Sequence, residues 1–429
     1  MATRPEELSA AAPVTAPAPD HRTAVLVIGA AVTMTSMSFN VWYPFMPLYA
    51  LDLGAKSDAD AVFWVGVAIA VQGVARLLSS AVWGFFSDRY GRKLMLLRAM
   101  YLGSVTFGIA ALASEPWHLS LALFCQGFFS GFVPASVALV SVTVPDSRLA
   151  SSLSMVTGGQ YLGTTLGPAL GAALALVFGY RGAIAVAAAG PLLSATLVLL
   201  KVPRDRVAPR LGGQGPRAAL EPFKATRQFV VSVALLLAVY SILELVRLAT
   251  PIALKALKGS EDSAGEAGLT FSLAGLVSAA SVLLPTPAAF RPGRVRYGLA
   301  GACALGGAGF LALAAADAIL PYVAAYLVIA LVISALVPAS NTLIASSVTR
   351  SRRGTGFGIA ASVQALSFAV GPLGAAFFAA LSLDLGFLVL AGLFFVLGLV
   401  LFAAVREPAE SQGGGTGPAA GSEAAAHPG

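Results

Sequence analysis

Three charged side chains stand inside long apolar runs: Arg76, Glu244 and Arg247. An ionised group at the centre of a helix in lipid costs at least about 2.5–3.5 kcal/mol on insertion scales, so its presence points to function. Glu244 and Arg247 are three residues apart and share a helix face, where they can pair. Glu244 can take up a proton or bind a cationic compound. Either partner neutralises a buried carboxylate, so the two would compete for it. The alternative is a structural pair between Glu244 and Arg247, or between Glu244 and Arg76. Arg76 itself suits either proton coupling or recognition of an anion. Asn40 lies 204 residues before Glu244 and adds an amide at matching depth.

Other polar side chains sit near the middle of apolar runs: Gln72, Gln126, Gln160, Asn341 and Gln364. Each either lines a cavity or ties two helices together. Phe39, Trp42, Tyr43 and Tyr240 lie on the same runs as Asn40 and Glu244. Such rings suit a pocket for apolar compounds, and Trp42 and Tyr43 equally suit anchoring at a membrane surface. No catalytic constellation is present. His21, His118 and His427 lie near loops or ends, Cys125 and Cys303 have no metal-ligand spacing, and no GxxxxGK[ST] loop offers an ATP site. No enzyme activity, cofactor or metal is expected.

The elements that must position these groups follow from composition. Of 429 residues, 57% are hydrophobic and 11% charged, against about 25% charged in soluble domains. That is too little polar surface to cover a water-soluble globule, so the solvent is a bilayer. The apolar residues come in blocks of the length a membrane helix needs, about 20 residues, without the alternation of a membrane barrel. Twelve helices are predicted, over 23–50, 60–86, 93–113, 118–142, 149–177, 183–202, 228–256, 267–290, 296–315, 320–346, 354–381 and 384–405. An even number puts both ends on one side. Of the 27 Lys and Arg residues, 21 fall on that side, with Arg98 counted among them, and four on the other: Lys56, Arg181, Lys255 and Lys258. This bias predicts cytoplasmic termini. It also explains the net charge of +7 as topology, with no nucleic acid implied. The segments 1–22 and 406–429 read as disordered tails, and 203–227, rich in Pro, Gly and Arg, as a cytoplasmic linker between six-helix bundles at 23–202 and 228–405.

The two bundles repeat each other. Val133-Pro134-Ala135-Ser136 recurs as Val337-Pro338-Ala339-Ser340, Gln160 with Gly167-Pro168 recurs as Gln364 with Gly371-Pro372, and Pro47 recurs as Pro251, all at an offset of 204. Parallel six-span repeats put a substrate site near midplane between the halves. The fold expected is therefore all-α, with twelve membrane helices in two parallel repeats.

Two motifs join the pattern. Gly84-Phe85-Phe86-Ser87-Asp88-Arg89-Tyr90-Gly91-Arg92-Lys93 links spans two and three. Its glycines permit a tight reversal, Asp88 suits a neighbouring helix N-terminus, and Arg92 can pair with it as a gating latch. The matching segment, Phe290 to Arg296, keeps basic residues and lacks the Asp. In span five, Gly158 precedes Gly163, Gly167 and Gly171, a smooth face for close helix approach. Pro168 on the same span favours a bend.

The first motif resembles the signature loop of the major facilitator superfamily. The second is similar to the antiporter signature of that superfamily's drug exporters, where the bend is held to seal the interface between halves. The runs MPLYALDLGA, WGFFSDRYGRKLMLLR, GFVPASVALVSVTVP and GTTLGPALGAAL resemble the twelve-span drug:proton antiporter family, and within it MdtG-like multidrug resistance exporters, over roughly residues 35–405. The resemblance implies proton-driven export of amphipathic compounds by alternating access, in a bacterial-type cytoplasmic membrane. The partners implied are protons, a small amphipathic substrate and the bilayer, and a monomer is expected. One position departs. The family carries an Arg in span four, four residues before a Gly, where this chain has Leu123 before Gly127. Uptake of a small nutrient or organic anion is the alternative that Arg76 and Leu123 favour, and a non-transporting receptor is a third.

Overall fold

The computed structural model describes residues 21–203, 226–259, 263–283, 286, 290, 293–348 and 353–405. Residues 1–20 and 406–429, and the linker at 204–225, lie outside the described residues. All regular structure among the described residues is helical. In lipid every backbone N–H and C=O needs an internal partner, and a helix supplies one within each segment.

The first half comprises α1 (His21–Asn40), α2 (Met46–Asp52), α3 (Asp58–Tyr90), α4 (Arg92–Ala111), α5 (His118–Phe128), α6 (Phe132–Thr143), α7 (Asp146–Ala187) and α8 (Ala189–Lys201). The second comprises α9 (Arg227–Lys258), α10 (Ala264–Leu283), α11 (Val295–Ala314), α12 (Ile319–Ser347), α13 (Arg353–Leu381) and α14 (Leu383–Ala404). Ten stretches of the described residues are long and apolar enough to cross a membrane. One of them, Ser151–Lys201, has 51 residues and would be roughly 76 Å long if straight, more than twice a bilayer core of about 30 Å. It reverses at Gly179, whose φ is +69°, and so holds two passes. The 20-residue α10 completes twelve among the described residues. His21 and Ala404 thus share one face, here termed the terminal face, opposite the far face.

Two predicted helices are broken. The first run stops at Asn40 and resumes at Met46, because Pro44 cannot donate to the helix ladder. The fourth run stops between Phe128 and Phe132, where Gly131 takes φ +109°. Other helices satisfy the carbonyls at that break. Trp83 Nε1 donates to the Phe128 carbonyl at 2.6 Å and Arg98 Nη2 to the Ser130 carbonyl at 2.9 Å. The Arg98 guanidinium lies 3.6 Å from the Trp83 ring centroid. Arg98 is therefore a half-buried structural cation in the first two turns of α4. At Pro168 the backbone of α7 keeps helical φ/ψ, which it leaves only at Gly179.

The smooth glycine face of α7 packs on α1 of its own half. A Cβ at Gly167 would stand 2.5 Å from the Met37 carbonyl oxygen, and one at Gly171 would collide with the Val41 carbonyl. The halves meet instead along two crossings, α3 with α13 and α7 with α10. In the first, a Cβ at Gly66 would lie 3.0 Å from the Pro372 carbonyl oxygen and one at Gly73 would lie 2.8 Å from Phe368 Cβ. In the second, a Cβ at Gly268 would lie 2.8 Å from the Pro168 carbonyl oxygen and one at Gly275 would lie 2.7 Å from Thr165 Oγ1. Each crossing thus uses a glycine pair seven residues apart. Toward the far face, Lys255 of α9 adds an ion pair with Asp58 of α3 at 3.0 Å.

Candidate functional site

Glu244 sits on the long helix α9 and is 5% exposed. Arg247 follows one turn later, and its Nη1 lies 3.7 Å from Glu244 Oε1. That separation supports an ion pair and is too long for a hydrogen bond. The break after Asn40 delivers Tyr43 beneath this pair, with the Arg247 guanidinium 4.3 Å from its ring centroid. Arg76 arrives from α3 and stands 5.2 Å from the ring centroid of Phe368 on α13. Both Arg76 and Arg247 act electrostatically on Glu244. Glu244, Arg247 and Tyr43 thus form one cluster across the two halves, and Arg76 lies within electrostatic reach of it, against Phe368.

Hydrogen bonding in this cluster is incomplete. Glu244 Oε2 and Arg76 Nε are buried and have no hydrogen-bond partner among the described residues. Buried polar atoms are ordinarily satisfied, so the orphaned Glu244 acceptor beside the cleft is open to an occupant. A narrow cleft with about 10 Å³ of free space adjoins Glu244, lined by Tyr43, Met46, Ile69, Glu244, Arg247 and Leu248. Drug-sized ligands occupy roughly 300–1,000 Å³, so the halves must part to admit one.

The repeat can be followed atom by atom here. A Cβ at Gly167 would lie 2.7 Å from Asn40 Cβ, and one at Gly371 would lie 2.9 Å from Glu244 Cβ. Both residues of each pair differ by 204, so Asn40 and Glu244 occupy equivalent seats. Asn40 does not join the charge cluster through its amide, which donates at 2.7 Å to the Ser36 carbonyl of its own helix.

Other expected site residues divide. Gln72 and Gln126 hydrogen-bond to each other inside the first half, and the Gln126 Nε2 keeps no partner among the described residues. Phe39 packs on Phe107 and Phe132, with ring centroids at 5.5 and 5.3 Å, which places it in the core of that half. Trp42 is buried against Phe107 and serves as core, not as a surface anchor. Tyr240 packs with Phe229 and Ile344, one turn toward the terminal face from Glu244. Gln160, Asn341 and Gln364 are half-buried. Leu123, at the departing position, is a fully packed core residue.

In the loop motif, Gly91 takes φ +97° and begins α4, the reversal that its lack of a Cβ permits. Lys93 is buried and donates to the carbonyls of Leu199 and Val202 at 2.9 and 2.5 Å. It caps the C-terminal end of α8, where a cation is favoured. Arg92 is half-buried. The side chains of Gly84, Asp88 and Arg89 lie outside those described, and with them the expected latch. In the span-five motif, nothing stands within 4 Å of a Cβ at Gly158.

The contributions of Met46, Ile69, Leu248 and Phe368 were not foreseen. Leu248 is one turn from Glu244, and Ile69 is seven residues from Arg76 on the same helix face, so spacing alone would have found those two.

The sequence model of the Major Facilitator Superfamily matches residues 28–372 and 249–426. The multi-drug resistance efflux pump PmrA of Streptococcus pneumoniae is 33% identical over 172 residues, which are 40% of this chain and 43% of that protein. The multidrug resistance protein MdtG of Proteus mirabilis is 33% identical over 156 residues, 36% of this chain and 39% of that protein. The chain thus aligns with less than half the length of these curated relatives. Among solved structures, the nucleoside transporter NupG matches with a TM-score of 0.73 at 14% identity, covering 89% of this chain and 98% of that one. A bacterial homolog of the human lysosomal transporter Spinster, inward-facing and occupied, matches with a TM-score of 0.72 at 14% identity, covering 88% and 95%. These structures share the fold.

Proposed function

The chain belongs to the major facilitator superfamily, and from that premise we propose that it exports amphipathic drugs or natural products by alternating access, driven by protons. The observation that carries this proposal is Glu244: a carboxylate at the junction of the halves, with one oxygen paired to Arg247 and the other buried without a partner among the described residues. The free oxygen accepts a proton or a substrate donor. Protonation releases Arg247 and changes the contacts that cross between halves, so occupancy and conformation are linked. The two glycine crossings close the molecule toward the far face, and rocking about the cleft would open them.

The efflux names of the aligned relatives support the direction. The distribution of 21 basic residues against four supports cytoplasmic termini, and with them a bacterial cytoplasmic membrane. The working unit is a monomer in the lipid bilayer, organised as bundles 23–202 and 228–405. Asp88 with Arg92 acts as the cytoplasmic latch.

The test is Glu244→Gln in proteoliposomes carrying a pH-sensitive dye. The variant should bind drug and lose drug-dependent proton movement. Undiminished proton movement would overturn the role of Glu244.

A further inference from the structure

Tyr43 and Arg247 are 204 residues apart, the offset of the repeat, and they touch. The Arg247 guanidinium lies 4.3 Å from the centroid of the Tyr43 ring. Parallel repeats are related by an axis along the membrane normal, and only positions near such an axis meet their own counterparts. The contact therefore stands on the axis between the halves, on the far-face side of Glu244. The ion pair of Glu244 with Arg247 differs in kind. Both residues belong to α9, so that pair stays within one half however the halves move. The Tyr43 ring belongs to the other half and stands in the break between α1 and α2. One guanidinium is thus shared between an acid of its own helix and a ring of the opposite half.

We propose that Tyr43 is the positioning residue that turns a proton on Glu244 into closure of the far face, by gripping the guanidinium that the proton sets free. This deepens the export reading above and rests on Glu244 as its proton site. With Glu244 ionised, the ion pair presents no net charge to the ring. With Glu244 protonated, Arg247 keeps its charge and faces the ring as a full cation, which the negative face of the ring attracts more strongly. The grip exists only while the halves are docked on the far side, so the ring makes a proton favour closure. A drug that neutralises the same carboxylate acts in the opposite sense. The cleft beside Glu244 has about 10 Å³ of free space, and a compound of roughly 300–1,000 Å³ holds ring and guanidinium apart. Proton and drug make the same change of charge and differ in bulk, and the ring responds to the difference. Arg76 of α3 and Tyr326 of α12 also lie within electrostatic reach of Glu244. Both keep their charge state when that acid takes up its proton.

The experiment compares the effect of the ring with Glu244 neutral and ionised. Glu244→Gln stands in for the protonated acid. The reporter is Thr165→Cys, on the crossing that closes the far face, in the full-length chain carrying Cys125→Ala and Cys303→Ala. Right-side-out membrane vesicles are labelled with an impermeant methanethiosulfonate at one alkaline pH. In the Glu244→Gln background, Tyr43→Leu should speed labelling roughly tenfold, the factor that a desolvated cation–π contact implies. With Glu244 intact, the same change should give about twofold or less. Tyr43→Phe keeps the ring and should stay within about twofold of its parent in both backgrounds. Tyr43→Met serves where Tyr43→Leu fails to fold. Equal effects of ring loss in the two backgrounds, or a larger effect with Glu244 intact, would overturn the proposal. So would Tyr43→Phe behaving as Tyr43→Leu. Drug-dependent proton movement by Glu244→Gln in proteoliposomes separates the grip from the reading beneath it. Coupling between the two positions with proton movement undiminished leaves the grip standing and removes Glu244 as the proton site. Proton movement lost without coupling does the reverse.

Discussion

Ala169 of the first half donates its backbone N–H to Ser272 Oγ of the second at 3.0 Å. The donor follows Pro168, whose ring crowds the carbonyls one turn back and weakens the helix's own hydrogen bonding. Ser272 lies between Gly268 and Gly275 on α10, on the crossing that closes the far face. Ser272→Ala removes this bridge. At about 0.5–1.5 kcal/mol for one hydrogen bond, the open population should rise roughly two- to tenfold. A cysteine at Thr165, labelled by a maleimide added from the far side, should react faster by that factor. An unchanged labelling rate would show that the bond does not hold the crossing.

Gly268 tests the same crossing by bulk. An added Cβ there meets Ala172 and the Pro168 carbonyl, so Gly268→Val should wedge the halves apart. Transport should be lost while the thermal melt stays within a few degrees, because no contact inside either half is touched. Gly301→Val is the control, since nothing stands within 4 Å of a Cβ at that glycine.

The two ends of the span-five motif should behave oppositely. Gly171→Ala forces α7 away from the Val41 carbonyl, a misfit of about 1–3 kcal/mol. Gly158→Ala enters open space and should stabilise by about 0.5–1 kcal/mol, through helix propensity. Thermal melts in detergent separate them. Equal melting temperatures would show that the motif's tight packing is not needed for stability.

The Glu244–Arg247 pair invites a double-mutant cycle. Glu244→Ala leaves two buried guanidiniums without a carboxylate, a loss on the order of 3–5 kcal/mol for a broken buried pair. Glu244→Ala combined with Arg247→Ala should recover part of it, with a coupling above about 0.5 kcal/mol. Additive losses would mean that the 3.7 Å separation carries no energy.

Much of this architecture is legible in the sequence, because hydropathy reports span length and the 204-residue register reports symmetry. Gly163, Gly167 and Gly171 announce a close helix contact through their spacing alone. The spacing is silent on the partner, which proved to be α1 of the same half. Breaks were harder to read. The fourth run breaks at Gly131, where Trp83 and Arg98, distant in sequence, donate to the freed carbonyls. The i,i+3 spacing of Glu244 and Arg247 was readable. Their meeting with Arg76, Tyr43 and Phe368 depends on how two halves dock, and no local pattern encodes that.

The equivalent seats of Asn40 and Glu244 carry a wider consequence. Each is pressed by a glycine, Gly167 or Gly371, in the same register, yet one side chain is a neutral amide and the other an acid. Shape and charge are thus independent variables at this pivot. A duplicated bundle can keep its mechanical joint intact while a single side chain in one copy is free to acquire, exchange or lose the power to carry a proton.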